Sequence, residues 1–274
     1  MWSGINSVVN TVFDLWLWPW QSLSPIWQIC ITAIPVTIFA LLVFRLVSNQ
    51  AGIVNSKDKI KAYLLELWLY KDDLGVLLRA QGQVFRYSFV YMRYALLPMA
   101  VMIIPVALVI VQIESLYAFK GLSSGKTAIL AVTMDEKQNV TDEAVRLSLP
   151  DGLAQETPPL RINETGQILW RIRADSDGEH EIGLHIDDKS ATKQVIVGSS
   201  GARLATTVYR SGDWRVLGYP AESPVSPDIG VLSVELDYPR ARGEFAGLSS
   251  ASWILMGVTL VLGFALRGIF GVTF

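Results

Sequence analysis

With 274 residues the chain is long enough for one or two ordinary domains, but charged residues make up 18% and nine residues are tryptophan. Soluble proteins carry roughly 25% charged residues, so a wholly soluble chain is excluded. The formal net charge of −2 rules out a large basic footprint for nucleic acid, and the single cysteine, Cys30, allows no intrachain disulfide.

Three stretches contain no Asp, Glu, Lys or Arg: Leu15–Phe44, Tyr94–Ile113 and Phe245–Leu266. Each is long enough to cross a hydrocarbon core, which takes about 20 apolar residues as a helix. In chain order, residues 1–25 open without the basic n-region or small-residue cleavage site of a secretory signal. Ile5, Val8, Val9, Val12, Phe13 and Trp16 recur at helical spacing. Residues Ser3–Trp16 are therefore expected to form an amphipathic helix in the membrane interface. Trp16, Trp18 and Trp20 around Pro19 would anchor it at headgroup depth. The alternative is one long tilted span over residues 15–44, which Pro19 and Pro25 disfavour.

Residues 26–47 form the first expected span, kinked at Pro35. Residues 48–93 read as a helical, coiled-coil type hairpin. Ile60, Leu64, Leu67 and Trp68 mark its first arm, Asp72 and Asp73 are candidate N-caps, and Leu74, Leu77, Leu78, Val84 and Phe85 mark its second arm. That arm can run on into the second span, 94–115, through Arg86, Tyr87, Tyr91, Arg93 and Tyr94, whose plain role is interface anchoring. Span two holds Pro98 and Pro105, with Met92, Met99 and Met102 in or beside it. Gln112 and Glu114 at its end read either as lining of a polar cavity or, more simply, as a solvated helix end.

Residues 116–247 change to period two. Strands are expected at Thr127–Met134, Ala144–Leu149, Gln167–Ala174, Glu181–Ile186, Lys193–Val197 and Val231–Asp237, with turns at Asp177-Gly178, Ser200-Gly201 and Ser211-Gly212. Trp170 looks like a core residue. The pattern predicts an antiparallel β-sandwich of immunoglobulin-like type, and residues 248–274 complete the chain as a third span and C-terminus. The fold class is thus an α+β membrane protein with an inserted strand domain.

Charge orients these parts. Residues 45–93 hold eight basic and four acidic residues, whereas 116–249 hold 14 basic and 19 acidic. Basic residues near spans stay on the cytoplasmic side. The hairpin and Arg267 are therefore expected inside, and the N-terminus and strand domain outside, facing the periplasm of a bacterial inner membrane.

Catalytic motifs are missing. The two histidines, His180 and His185, have odd spacing and fall on opposite faces of one strand, so they cannot share a metal. The acidic residues Asp175, Asp177, Glu179, Glu181, Asp187 and Asp188 lack EF-hand spacing and read as solvated loops rather than a calcium site. No G-x-S-x-G, P-loop, H-E-x-x-H or C-x-x-C is present. No enzyme activity, cofactor, metal or small-molecule substrate is expected.

Two short motifs carry a resemblance. The second span opens Tyr94-Ala95-Leu96-Leu97-Pro98-Met99, and the third reads Leu248-Ser249-Ser250-Ala251-Ser252-Trp253, followed by Leu266-Arg267 and Gly271. With the order of spans and hairpin, these make the chain similar to the YidC/Oxa/Alb membrane-insertase superfamily. The likeness is closest in motif to the third subunit of the ER membrane protein complex and to related three-span proteins of archaea and bacteria. The resemblance covers a little under half of the chain. It implies a three-span core that assists insertion or assembly of membrane proteins, with Arg45, Pro98, Met99, Met102, Gln112 and Arg267 as groove or client-contacting residues. Trp16, Trp18, Trp20 and Trp253 are the expected interface anchors. Two features depart from the family: a strand domain of some 130 residues separates spans two and three, and no arginine lies at mid-depth in a span. The alternative expectation is a non-catalytic accessory or scaffold subunit of a larger membrane complex. Expected partners are the lipid bilayer and either membrane-protein clients or such a complex.

Overall fold

The structure, a computed structural model, describes residues 2–135, 145–186, 189–198, 201–241 and 243–272. The protein is mixed α+β, with helices α1 (Trp2–Leu17), α2 (Pro25–Val47), α3 (Gln50–Leu69), α4 (Leu74–Tyr117) and α5 (Ser250–Phe270) around a strand-rich segment. Helices α2, α4 and α5 are each long and apolar enough to cross a membrane. Local chemistry sets their ends. Pro25 occupies the first position of α2, where its missing N–H costs nothing. Asn49 caps α3 by accepting from the Gly52 amide at 2.8 Å. Asp73, not Asp72, caps α4 by accepting from the amides of Gly75 and Val76. Pro19 falls in a 3-10 turn, Trp18–Trp20, which ends α1 well before α2 begins. The long-single-span alternative for residues 15–44 is thereby corrected.

Helix α4 is one continuous helix of 44 residues, about 66 Å long at 1.5 Å per residue. The second hairpin arm and the second span are therefore a single rod, and Pro98 and Pro105 lie inside it without ending it.

The chain divides into two compact units, one made of Met1–Gln28 with Leu108–Trp253 and the other of Ile29–Ala107 with Ile254–Phe274. In the second unit, α3 and the first half of α4 are zipped by aromatic contacts. Tyr63 stacks on Tyr87 with centroids 5.8 Å apart, the Lys57 ammonium sits 5.6 Å from the Tyr91 ring, and the Tyr94 ring covers Gly52. A Cβ on Gly52 would come within 2.8 Å of that ring, so a larger residue there requires the Tyr94 ring to shift. Tyr87, Tyr91 and Tyr94 thus pack on α3, a contact beyond the expected anchoring, while Arg86 and Arg93 are exposed.

In the first unit the strands are β1 (Thr127–Met134), β2 (Val145–Ser148), β3 (Leu153–Gln155), β4 (Leu160–Ile162), β5 (Gln167–Ala174), β6 (Gly178–Ile186), β7 (Lys189–Val197), β8 (Thr207–Tyr209) and β9 (Val231–Leu236). One sheet runs β3-β5-β1-β9-β8, with β4 also paired to β5, and the other runs β2-β6-β7. All pairings between named strands are antiparallel. Alternation decides the core. Ala128, Leu130, Val132 and Met134 of β1 point inward, and Leu130 lies opposite both Trp170 and Leu236. These residues join Ile182, Leu184 and Ile186 of β6 and Val195 and Val197 of β7 in one apolar cluster. Ala144, Asp187, Asp188 and Ser200, which figured in the expectations, lie outside the described residues.

The β7 edge is closed by side chains rather than by another long strand. The Gln194 amide donates to Glu222 Oε2 at 2.8 Å, and the Ile196 amide donates to the Tyr238 hydroxyl at 3.0 Å. Beyond these, Leu122 and the end of β7 exchange backbone bonds, Leu122 N to Ile196 O and Gly198 N to Leu122 O. Lys193, wholly buried, donates to Glu222, to Ala205 O at 2.8 Å and to Gln194 O at 3.1 Å. Burial pushes its amine below the ordinary lysine range, and the Glu222 carboxylate opposes that shift. Such covered edges are protected from pairing with another chain.

Candidate functional site

The polar chemistry of the first unit concentrates where α1, the end of α4 and the start of α5 meet the strand domain. On α1, Asn6, Asn10 and Asp14 are spaced by four and form one stripe. Asn6 donates to Val216 O and Asn10 to Pro220 O, each at 2.8 Å. Gln112 of α4 donates to Asn10 Oδ1 at 2.8 Å and accepts from Arg203 Nε at 3.1 Å, while Arg203 also pairs with Asp14. A chain of four side chains thus ties α1, α4 and the segment before β8 together. Arg203 Nη2, buried, has no hydrogen-bond partner among the described residues.

Gln112 is therefore buried, which corrects the solvated-helix-end reading. Two residues on, Glu114 Oε1 accepts from the Ser249 amide at 2.9 Å, from Ser249 Oγ at 2.8 Å and from Ser252 Oγ. An anion at a helix N-terminus is stabilised by the free amides and the dipole there, so Glu114 fastens the start of α5 to the end of α4. A third tie closes the corner between α1 and α2. Gln28 donates to Leu23 O at 2.9 Å and accepts from the Tyr117 hydroxyl at 2.5 Å.

Beside these ties lies a cleft of about 670 Å³ whose lining includes Glu114, Phe119, Tyr219, Glu235, Asp237 and Arg240. Arg240 pairs with Glu244 and lies over the Phe119 ring at 5.6 Å.

The expected groove residues are not gathered into this site. Arg45, Pro98, Met99, Met102 and Arg267 lie in the second unit, whereas Gln112 lies in the first. Pro98 is buried, Met102 half-buried and Met99 60% exposed. Arg45 and Arg267 are both exposed, Arg267 with its guanidinium 5.8 Å from the Phe264 ring. Of the expected anchors, Trp16, Trp18 and Trp253 are exposed and Trp20 is half-buried; Trp253 donates to Phe245 O at 3.0 Å and its ring meets Phe245.

His185 is exposed, and His180 is half-buried with Nε2 2.9 Å from Ser176 O. Asp175 pairs with Arg173 at 2.7 Å. Among the described residues no group of three or more His, Cys, Asp and Glu is placed to hold a metal ion. The hydrogen bonds and ion pairs of this arrangement join helices to one another and to the strand domain.

Sequence reasoning missed Asn6, Asn10, Asp14 and Arg203, and took Ser249 and Ser252 only as part of a motif, not as partners of Glu114. The Asn-Asn-Asp stripe was visible as the complement of the apolar face. The partnership with Arg203, 189 residues from Asp14, carried no local signal. The chain matches no protein-family model, no curated protein and no solved structure.

Proposed function

We propose that this is a three-span protein of a bacterial inner membrane whose insertase-like core assists the insertion or assembly of other membrane proteins. The hairpin of α3 and α4, with its surplus of basic residues, faces the cytoplasm, and the strand domain, an immunoglobulin-like sandwich, faces the periplasm. The N-terminus is then outside and the C-terminus inside. The observation that carries the reading is the openness of the spans. The most apolar stretch of α4 is 17% buried and that of α5 only 6%, so a single chain leaves most of its membrane-facing surface free for lipid or client segments. Met99 and Met102, unbranched and polarisable, suit contact with varied apolar sequences.

The test is photocrosslinking from full-length protein carrying a photoreactive residue in place of Met99, during synthesis of multi-spanning membrane proteins. Adducts with nascent clients are the expected result, and lipid-only adducts refute the client role.

A second reading, a non-catalytic scaffold subunit, is favoured by the polar ties of the first unit. Asn10, Gln112, Arg203 and Glu114 serve to fix helices to the strand domain, as a rigid brace would require. Purification in mild detergent separates the two. A stoichiometric partner that survives gel filtration favours the scaffold, and transient association with ribosomes or clients favours the insertase.

A further inference from the structure

Helix α1 is put together the opposite way round from a helix packed on a soluble core. Its polar stripe is the bound side: Asn6 and Asn10 donate to carbonyls of the 216–220 segment, and Asp14 is paired with Arg203. Its apolar side is the free one. Val8 is 66%, Val12 61% and Leu15 73% exposed, with Ile5 and Trp16 beside them on the same arc. Asp14 is the only charged residue of α1, so the free face carries no charge. The exposed apolar series runs on through Trp18, Leu23, Ile26 and Trp27 into the first turn of the α2 span, and Gln28 closes that corner by bonding back to Leu23 O.

We infer that α1 is a lipid-facing foot of the strand domain: its uncharged face lies in the headgroup and upper acyl region while its Asn-Asn-Asp stripe holds the domain against the bilayer surface. Three observations select lipid as the occupant. The face is continuous in sequence with a span that must itself enter lipid. It is flanked by tryptophans, which favour the headgroup region. The polar side chains of the opposite stripe, Asn6, Asn10 and Asp14, are bonded to the strand domain, which leaves the uncharged apolar side turned away from it. The loop under the stripe is itself fixed to the sheet, because Glu222 joins it to Lys193 and to the Gln194 amide. Position is therefore transmitted from the membrane surface through α1 to β7. The inference rests on the chain crossing a bilayer, and not on any role in insertion.

The test uses full-length protein in nanodiscs, with Cys30→Ser as background and nitroxide labels on single cysteines. Labels at Val8→Cys and Val12→Cys are compared with Leu260→Cys on the α5 span and Glu181→Cys on an exposed strand position. The measurement is collision with oxygen, which partitions into lipid, against collision with a water-soluble nickel chelate. The expected result is an oxygen-to-nickel ratio at 8 and 12 several-fold above that at 181 and approaching that at 260. A ratio equal to that at 181 overturns the inference, and low access to both reagents also overturns it by showing a protein partner or a second copy on the face. Should position 260 itself report water, the membrane-crossing reading fails, which is a separate outcome. The tether is read from a label at Trp214→Cys. Its mobility should rise when Asn6→Leu and Asn10→Leu are combined while the lipid signal at 12 persists, and unchanged mobility overturns the clamp.

Discussion

Lys193 and Glu222 offer the sharpest test of how the strand domain is held together. Removing one partner of a buried ion pair leaves a charge with no compensation, at a cost of about 3–5 kcal/mol, whereas replacing both by neutral groups of similar volume is often close to neutral. The Lys193 side chain has no exposure and that of Glu222 only 9%, so solvent cannot take over from the missing partner. Glu222→Ala strands the ammonium and also uncovers the Gln194 amide on the β7 edge. For a protein of this size each kcal/mol lowers the midpoint by about 2–4 °C. Glu222→Ala should therefore lose about 6–20 °C. The double variant Lys193→Met with Glu222→Gln keeps an acceptor for Gln194 and removes both charges, so it should stay within about 4 °C of the parent. The assay is loss of the monodisperse gel-filtration peak on heating in one detergent at one heating rate, because such unfolding is irreversible and only matched conditions compare. If Glu222→Ala is no more harmful than the double variant, the buried-charge argument is wrong and the pair is ornamental. Glu222→Ala should further promote association between copies through the opened edge, seen as concentration-dependent oligomers at temperatures below the transition.

Glu114→Ala removes an acceptor used by three donors at the start of α5; one hydrogen bond to a charged group is worth about 1.5–3 kcal/mol, or about 3–12 °C of the same midpoint, so the loss should be at least that large, and Ser252→Ala, which removes one donor, should lose less. Gly52→Val should destabilise the α3–α4 hairpin by about 1–3 kcal/mol through overpacking on Tyr94, and adding Tyr94→Ala should recover much of the loss; protease sensitivity of the hairpin is the measurement. Asp213 accepts from the Arg215 amide, then from its guanidinium, and these bonds hold the carboxyl below its ordinary value of 3.8. Its folded pKa is depressed, so the stabilisation is complete above about pH 4 and is lost as pH falls through the lower folded value. Acid should therefore loosen the 214–218 turn, read as mobility of a label at Trp214→Cys, and Asp213→Ala, which removes the cap acceptor altogether, should show the loosened state already at neutral pH.

Much of the fold was legible because single physical rules governed it. Uncharged length marked α2, the membrane half of α4 and α5. Period two placed β1 and β5 over the expected residues, since both lie in the middle of the sheet with one face buried. Strands β3, β4 and β8, three residues each, are too short for alternation to show against the noise of a loop. The polar ties were illegible for another reason. Gln112, Arg203 and Asp14 look like ordinary helix-end or surface residues, and only a fold that brings together positions about 90 to 190 apart in sequence gives them a role.

The same contacts change the weight of the two motifs that made the chain resemble an insertase. In Ser249-Ser250-Ala251-Ser252, the serines at 249 and 252 are occupied by Glu114, and Ser249 Oγ additionally lies 3.4 Å from the Ser252 amide, an N-cap contact. Any protein that must begin a span beside a carboxylate has use for hydroxyls at that spacing, whatever its task. In Leu97-Pro98-Met99 the proline is buried and the leucine and methionine are exposed on α4. Capping thus accounts for one motif without reference to clients, and of the other only the outward side chains are free to touch anything that passes. The insertion reading consequently stands on Met99 and its exposed neighbours such as Ile103. With the photoreactive residue placed at Ile103, a Ser252→Ala variant that keeps its fold should retain the crosslinking to clients, while Met99→Lys should abolish it.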